Sequence, residues 1–579
     1  MGELLDKINK ENDIKNIDEN EYRRLAREIR EFIINNVTST GGHLASNLGA
    51  VELTMALHLC CDLPKDKIIF DVGHQCYTHK LLTGRKEQFK TLRKFNGISG
   101  FPRISESDCD VFDTGHSSNS LSLALGLCNA REIKKEDYKV FAVIGDGALS
   151  GGMAFEALNN AARLKSNLVI VINDNQMSIS KNVGGMANYL GKIRTNKKYN
   201  NLKDSVENAF AHLPGGDQLT DKVRGAKDII KRVFISGMLF EDMGLTYIGP
   251  INGHNVPQMV SAFNSALNMN EPVIVHVCTK KGKGYKPAEK NPRKYHGVAA
   301  GSGGTKIETY SDVVGSTLIE MAEEDERIVG ITAAMPDGTG LTPFMKKFPD
   351  RSFDVGIEEE HAVTFAAGLA RGGLRPVVAI YSTFFQRAYD QMISDVCLQK
   401  LPVVFCFDRS GIVGADGSTH QGIFDTSFLK SMPGLTIMAP ADKFEMKEML
   451  KKAVEIGGPV AIKYPRGEAI VSSRFRDEEI EVGRCQVYGD SAAGGAGSNK
   501  KVLIVAVGNM VHRALRVRDE LTKSNIDAVV INARFIKPMD EETILSEGKK
   551  YRNIVTLEEG VLTGGFGEEV NSLFKDIDG

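Results

Sequence analysis

Hydrophobic positions along the chain fall into two recurring patterns. Residues 22–33 place Tyr22, Leu25, Ala26, Ile29, Phe32 and Ile33 at helical spacing, which predicts an amphipathic helix. Short continuous apolar runs follow at Val140–Ile144, Leu168–Ile172, Pro272–Val277, Val377–Ile380, Val403–Phe407 and Leu503–Val507. Each is rich in β-branched side chains and separated from the next by helical patterning, the signature of parallel strands covered on both faces by helices. The expected fold class is α/β, with largely parallel sheets flanked by helices. Two glycine-rich stretches, His296–Thr309 and Gly489–Lys500, hold nothing that could pack and read as linkers. They divide the chain into domains at 1–305, 306–485 and 486–579. A third stretch, Lys181–Gly237, carries Lys181, Lys192, Arg194, Lys197, Lys198 and Lys203 without an interleaved aromatic platform, so a solvated mobile loop is expected there.

Composition narrows the class. A chain of 579 residues exceeds what one hydrophobic core serves, and 42% hydrophobic with 25% charged residues is ordinary for globular protein. Lys plus Arg number 72 against 74 Asp plus Glu, so the basic excess that a nucleic-acid or membrane-surface partner requires is missing. Residues 1–16 have no apolar core of a signal peptide, and Asp6 stands where a myristoylation signal wants Ser or Thr. No apolar stretch approaches the roughly 18 residues that span a bilayer. The nine cysteines are scattered, with no CxxC pair, which reads as reduced thiols in a cytoplasmic enzyme.

The candidate chemistry sits at the ends of the strand-like runs. Val140–Ile144 ends in Gly145-Asp146-Gly147-Ala148, and Leu168–Ile172 ends in Asn173-Asp174-Asn175-Gln176-Met177. Glycine on each side of Asp146 lets backbone amides approach a phosphate, and Mg²⁺ favours an oxygen set of one carboxylate, an amide oxygen and a carbonyl. Asp146 and Asn175 lie 29 residues apart, one strand–helix–strand unit, so both fall at the carboxyl edge of neighbouring strands. This pairing resembles the diphosphate-binding motif of thiamine diphosphate enzymes. A dinucleotide-binding site is the competing class, but no G-x-G-x-x-G with a following acid is present. His43, His74 and His116 sit beside glycine or serine, the setting of a site that needs donors and proton shuttles near neutral pH. None has zinc-site spacing. In Glu358-Glu359-Glu360-His361, before a small-residue helix over Ala362–Ala370, a buried acid could hydrogen-bond a heterocycle nitrogen such as that of the thiamine aminopyrimidine.

Longer segments carry a closer likeness. GGHLASNLGAVELT, DVGHQCYTHKLLTGR, NDNQMSIS, EEEHAVTFAAGLA, YSTFFQRAYDQ, DRSGIVGADGSTHQG and YPRG occur in one order between about residue 20 and residue 567. In these the chain resembles the 1-deoxy-D-xylulose-5-phosphate synthase family of transketolase-like thiamine diphosphate enzymes. The resemblance implies a homodimer of three α/β domains: diphosphate-binding, pyrimidine-binding and C-terminal. It implies thiamine diphosphate and Mg²⁺ as cofactors, with pyruvate and D-glyceraldehyde 3-phosphate as substrates. It implies Mg²⁺ held by Asp146, Asn175 and Met177, and cofactor contacts from His74, Gly115, His116, Ser117, Gly147, Ala148, Asn175 and Tyr285. Glu359 matches the acid that activates the aminopyrimidine, and Phe384 the ring stacked on it. His43, Asp416 and His420 match substrate-handling residues, and Tyr381, Arg409 and Arg466 the acceptor-binding group.

The sequence also departs from the family's pattern. Glu358 stands where Ala is usual, Glu360 where Gln is common, and Thr78 replaces a usual Pro. After Gly567 the family continues through further strands, so the third domain is expected to be shortened. Two alternatives stand beside the implied activity: a transketolase proper, and an inactive scaffold that keeps the fold.

Overall fold

The structure is a computed structural model describing residues 2–178, 182–195, 239–300, 307–414, 416–472, 479–489 and 501–575. Most of the Lys181–Gly237 stretch and the glycine-rich cores of both expected linkers lie outside the described residues. The chain divides into two compact units, Met1–Gly304 with Ala415–Thr419, and Thr305–Gly414 with His420–Gly579.

The first unit is built on a five-stranded, wholly parallel sheet. Its strands are β1 (Lys67–Phe70), β2 (Val140–Gly145), β3 (Val169–Asp174), β4 (Thr246–Asn252) and β5 (Val273–Cys278), in the order β1-β2-β3-β5-β4. The side chains of β2 and β3 are buried almost throughout, because helices pack on both faces. On one face, Tyr22–Thr40 and Val256–Leu267 bury their apolar sides; on the other, Ser120–Lys134 and Gly152–Leu164 do so. The strand runs read from the sequence are all present, with ends displaced by at most three residues.

One expectation is corrected. Within the stretch read as a mobile loop, Gly184–Thr195 forms a helix. Leu190 and Ile193 are buried in the core with Met186 and Tyr189 against them, and Arg194 pairs with Asp174 at the end of β3. The flanking basic residues hid this apolar spacing.

The second unit carries two sheets. The larger contains β6 (Ile328–Thr332), β7 (Ser352–Asp354), β8 (Arg375–Tyr381), β9 (Val404–Ser410), β10 (Thr436–Met438) and β11 (Val460–Pro465). The smaller contains β12 (Gln486–Tyr488), β13 (Lys501–Ala506), β14 (Asp527–Asn532) and β16 (Asn553–Leu557), in the order β12-β14-β13-β16. Between β14 and β16 in the chain, β15 (Phe535–Lys537) leaves the smaller sheet. It adds antiparallel to β10, giving β15-β10-β11-β9-β8-β6-β7. One apolar core holds residues from both sheets. All nine cysteines are free thiols. Among the described residues no helix is long and apolar enough to cross a membrane.

Candidate functional site

In a parallel sheet every strand ends at the same edge, so the loops after β1, β2, β3 and β5 of the first unit lie side by side. Those loops carry His74, Asp146, Asn175 with Met177, and Tyr285 respectively. The Asp146 carboxylate is buried; its Oδ2 accepts from the Gln176 amide at 2.7 Å and its Oδ1 from the Gly147 amide at 3.2 Å. Gln176 has φ +67°, which turns the chain so that Asn175 Oδ1 accepts from the Met177 amide at 3.2 Å. A Cβ at Gly147 would lie 2.9 Å from Ser178 Cβ, so the two loops approach only because that residue is glycine. Burial, then the charge of Asp174, pushes the Asp146 carboxyl up to about 7.

Asp174 itself is braced from behind. Burial opposes its ionisation, but contacts from His276 Nε2 at 3.0 Å and Arg194 at 2.7 Å outweigh it and hold the carboxyl below its ordinary range. Tyr247 meets the other nitrogen of His276 at 2.6 Å, and Cys278 Sγ lies 4.0 Å from Nε2. Asp174, His276 and Cys278 cluster closely enough to suit a metal, yet both Asp174 oxygens already have N–H partners, so the cluster ties β3 to β5.

The loop after β1 is held by two buried polar side chains. Asp71 accepts from the Ser118 amide at 2.8 Å and the Ser120 hydroxyl at 2.7 Å, which fixes Gly115, His116 and Ser117 beside it. Ser118 in turn donates to the Ala148 carbonyl at 2.8 Å. Asn47 donates to the carbonyls of His43 and His74 at 2.6 and 2.7 Å, clamping those two histidines together. Their rings lie 5.3 Å apart, and Phe101 lies 5.5 Å from that of His43. Tyr285 meets Tyr295 edge-on at 5.6 Å. Asp416 and Thr419 belong to this unit: Arg93 forms a buried ion pair with Asp416, and His116 Nε2 lies 2.9 Å from the Thr419 carbonyl.

Two residues here were missed from the sequence. His296 completes a three-histidine group, 5.7 Å from the ring of His43 and 5.3 Å from that of His74. Burial, then the nearby Lys281 charge, holds it well below its ordinary pKa and therefore neutral. It stands at the start of a stretch read as linker, which concealed it. Lys281 is buried, donates to the Ser178 carbonyl, and is pulled down to about 8 by burial against the opposing charge of Asp146.

In the second unit the carboxyl edge presents Arg466 after β11, Arg409 within the end of β9, Tyr381 at the end of β8 and Glu359 beyond β7. The Arg409 guanidinium carbon sits 3.7 Å from the centre of the Tyr381 ring. Phe384 stacks 5.9 Å from Tyr381 and meets His420 edge-on at 5.5 Å. Arg466 is exposed. Of the three glutamates, Glu359 alone is buried, and its Oε2 has no hydrogen-bond partner among the described residues. Burial pushes its carboxyl up to about 7 against the pull of Arg387. The signal for this choice was present: Glu359 falls in helical register with the buried Ala362, Val363, Ala366, Ala367 and Ala370.

Comparison with known proteins adds the family context. Residues 5–279 match the profile of 1-deoxy-D-xylulose-5-phosphate synthase, 308–470 the transketolase pyrimidine-binding domain and 496–579 the transketolase C-terminal domain. The 1-deoxy-D-xylulose-5-phosphate synthase of Lachnoclostridium phytofermentans is 56% identical, over 99% of this chain and 91% of its own. That of Halothermothrix orenii is 51% identical over 100% and 91%. Among solved structures, transketolase from Campylobacter jejuni aligns over 96% of this chain and 99% of its own, at 18% identity and a TM-score of 0.38.

Proposed function

The chain belongs to the 1-deoxy-D-xylulose-5-phosphate synthase family of transketolase-type transferases, and on that premise we propose the reaction it runs and the residues that run it. Pyruvate and D-glyceraldehyde 3-phosphate condense with release of CO₂ to 1-deoxy-D-xylulose 5-phosphate, a precursor for isoprenoids, thiamine and pyridoxal. Thiamine diphosphate and Mg²⁺ are the cofactors. When bound, thiamine diphosphate supplies a nucleophilic carbon and an electron sink for decarboxylation.

The residues present suit both groups. Asp146, the Asn175 amide oxygen and the Met177 carbonyl are hard oxygen donors of the kind Mg²⁺ takes, and a cation relieves the buried Asp146 charge. Gly147 and Ala148, with the loop of Gly115, His116 and Ser117, would receive the diphosphate, and His74 and Tyr285 would supply further cofactor contacts. The observation that carries the reading is Glu359: a buried carboxyl with an unpartnered oxygen, poised near 7, holds or gives a proton to a ring nitrogen at Oε2. Phe384 offers the flat surface for that ring. His43, Asp416 and His420 are the substrate-handling residues of this reading, and Tyr381, Arg409 and Arg466 its acceptor-binding group, the arginines suited to a phosphate. The division into diphosphate-binding (1–305), pyrimidine-binding (306–485) and C-terminal (486–579) domains belongs to the same reading. Homodimeric assembly and a cytoplasmic location come with it from the resemblance alone.

The test is CO₂ release from carboxyl-labelled pyruvate, with and without D-glyceraldehyde 3-phosphate. Release that the aldehyde stimulates, with 1-deoxy-D-xylulose 5-phosphate formed, is expected. Turnover of a ketose phosphate without CO₂ would make the chain a transketolase, and no turnover of either would make it a scaffold.

A further inference from the structure

We infer that Asp425 is a positioning residue for acceptor recognition, fixing the stacked Arg409–Tyr381 pair from beneath. The inference rests on the reading of that pair as the acceptor's binding site. Asp425 opens the helix Asp425–Lys430 and is 1% exposed. Its Oδ2 accepts from the hydroxyls of Ser382 at 3.0 Å and Ser410 at 2.5 Å. Its Oδ1 accepts from Lys463 Nζ at 2.6 Å, and that ammonium also donates to Thr426 Oγ1 at 2.6 Å. Ser382 follows β8, Ser410 ends β9 and Lys463 lies in β11, three strands adjacent in the sheet. One buried carboxylate therefore binds three strand ends.

Two of those partners adjoin the acceptor residues directly: Ser382 follows Tyr381, and Ser410 follows Arg409. Arg409 has φ +59°, a left-handed conformation that an arginine keeps only when its surroundings over-determine it. The residue after it, Ser410, has its hydroxyl tied to Asp425. The next, Gly411, exchanges two backbone hydrogen bonds with Gly422 at 2.9 and 2.8 Å. Gly422 has no room for a side chain, since a Cβ there would lie 2.4 Å from the Arg409 carbonyl oxygen. The strained backbone accompanies a guanidinium carbon held 3.7 Å from the centre of the Tyr381 ring. A buried ion pair such as Asp425–Lys463 is weak evidence for stability and better suited to fixing one arrangement of the elements it joins.

Ser410→Ala removes the link without stranding the Lys463 charge. It is expected to raise KM for D-glyceraldehyde 3-phosphate about tenfold, the effect of one charge-assisted hydrogen bond. KM for pyruvate and turnover of unphosphorylated D-glyceraldehyde should hold. Ser410→Thr, which keeps the hydroxyl, should stay near the parent, and Asp425→Asn should shift in the same direction as Ser410→Ala. Arg409→Ala is run beside them. If Arg409→Ala discriminates between the two aldehydes and folded Ser410→Ala does not, the positioning role is overturned alone. If Arg409→Ala weakens both aldehydes equally, the phosphate reading falls and the role of Asp425 falls with it.

Discussion

Asp146 in the first unit and Glu359 in the second are both buried carboxyls raised to about 7, yet their surroundings differ in kind. Asp146 is raised by burial and by a second carboxylate, Asp174, whose own charge is kept by His276 and Arg194. Its oxygens accept backbone amides, and Lys281 stands nearby. Glu359 is raised by burial with only minor help from its acidic neighbours, and one oxygen has no partner among the described residues. The first setting concentrates negative charge and asks for a cation. The second isolates one acid in an apolar helix face and so keeps a proton available near neutral pH. The same raised value thus arises from different physics and serves different chemistry.

The largest effect that would break this contrast is at Asp146. Asp146→Ala should remove Mg²⁺-dependent thiamine diphosphate binding from the calorimetric range while leaving the fold intact; unchanged affinity would sink the metal assignment. Glu359→Gln should instead leave the cofactor bound and slow hydrogen–deuterium exchange at its C2 by about 10²–10⁴-fold, the usual worth of a positioned acid or base. Slow exchange in Glu360→Gln with normal exchange in Glu359→Gln would move the role by one residue.

Stability sharpens the same contrast. Glu359 has an ordinary value of 4.5 and a folded value of about 7, so between these the folded chain holds the proton that the unfolded chain has released. Stability from this group is therefore lost as pH rises through that window, by up to about 3 kcal/mol at pH 8. Glu359→Gln should raise the midpoint of thermal unfolding at pH 8 relative to the parent and narrow the difference between pH 5 and pH 8. A variant that tracks the parent at both would mean that Glu359 is not desolvated in solution. Arg409→Ala should raise KM for D-glyceraldehyde 3-phosphate roughly 10- to 150-fold, the range of a charged hydrogen bond worth about 1.5–3 kcal/mol. The smallest effects belong to Glu358→Gln and Glu360→Gln, half-buried neighbours expected to change stability by less than about 0.5 kcal/mol.

Local pattern carried much of this molecule. A parallel strand covered on both faces must be apolar along its length, so β2, β3, β5, β8, β9 and β13 stood out as runs, and the polar residues just past them marked the edge where ligands bind. Even the choice among three glutamates was written in helical spacing. What remained hidden was whatever depends on partners far along the chain. The order β1-β2-β3-β5-β4 and the addition of β15 to the larger sheet follow from packing whole elements, which no short window reports. His296 looks like the start of a flexible stretch until folding sets it against His43 and His74, more than two hundred residues earlier in the chain. Asp425 looks like an acid at a helix start until three strand ends converge on it. Side-chain period and turn chemistry act over a few residues and are legible at that range. Burial, and with it the pKa of Glu359 and the backbone strain at Arg409, is set by the whole neighbourhood and exists only once the chain has folded.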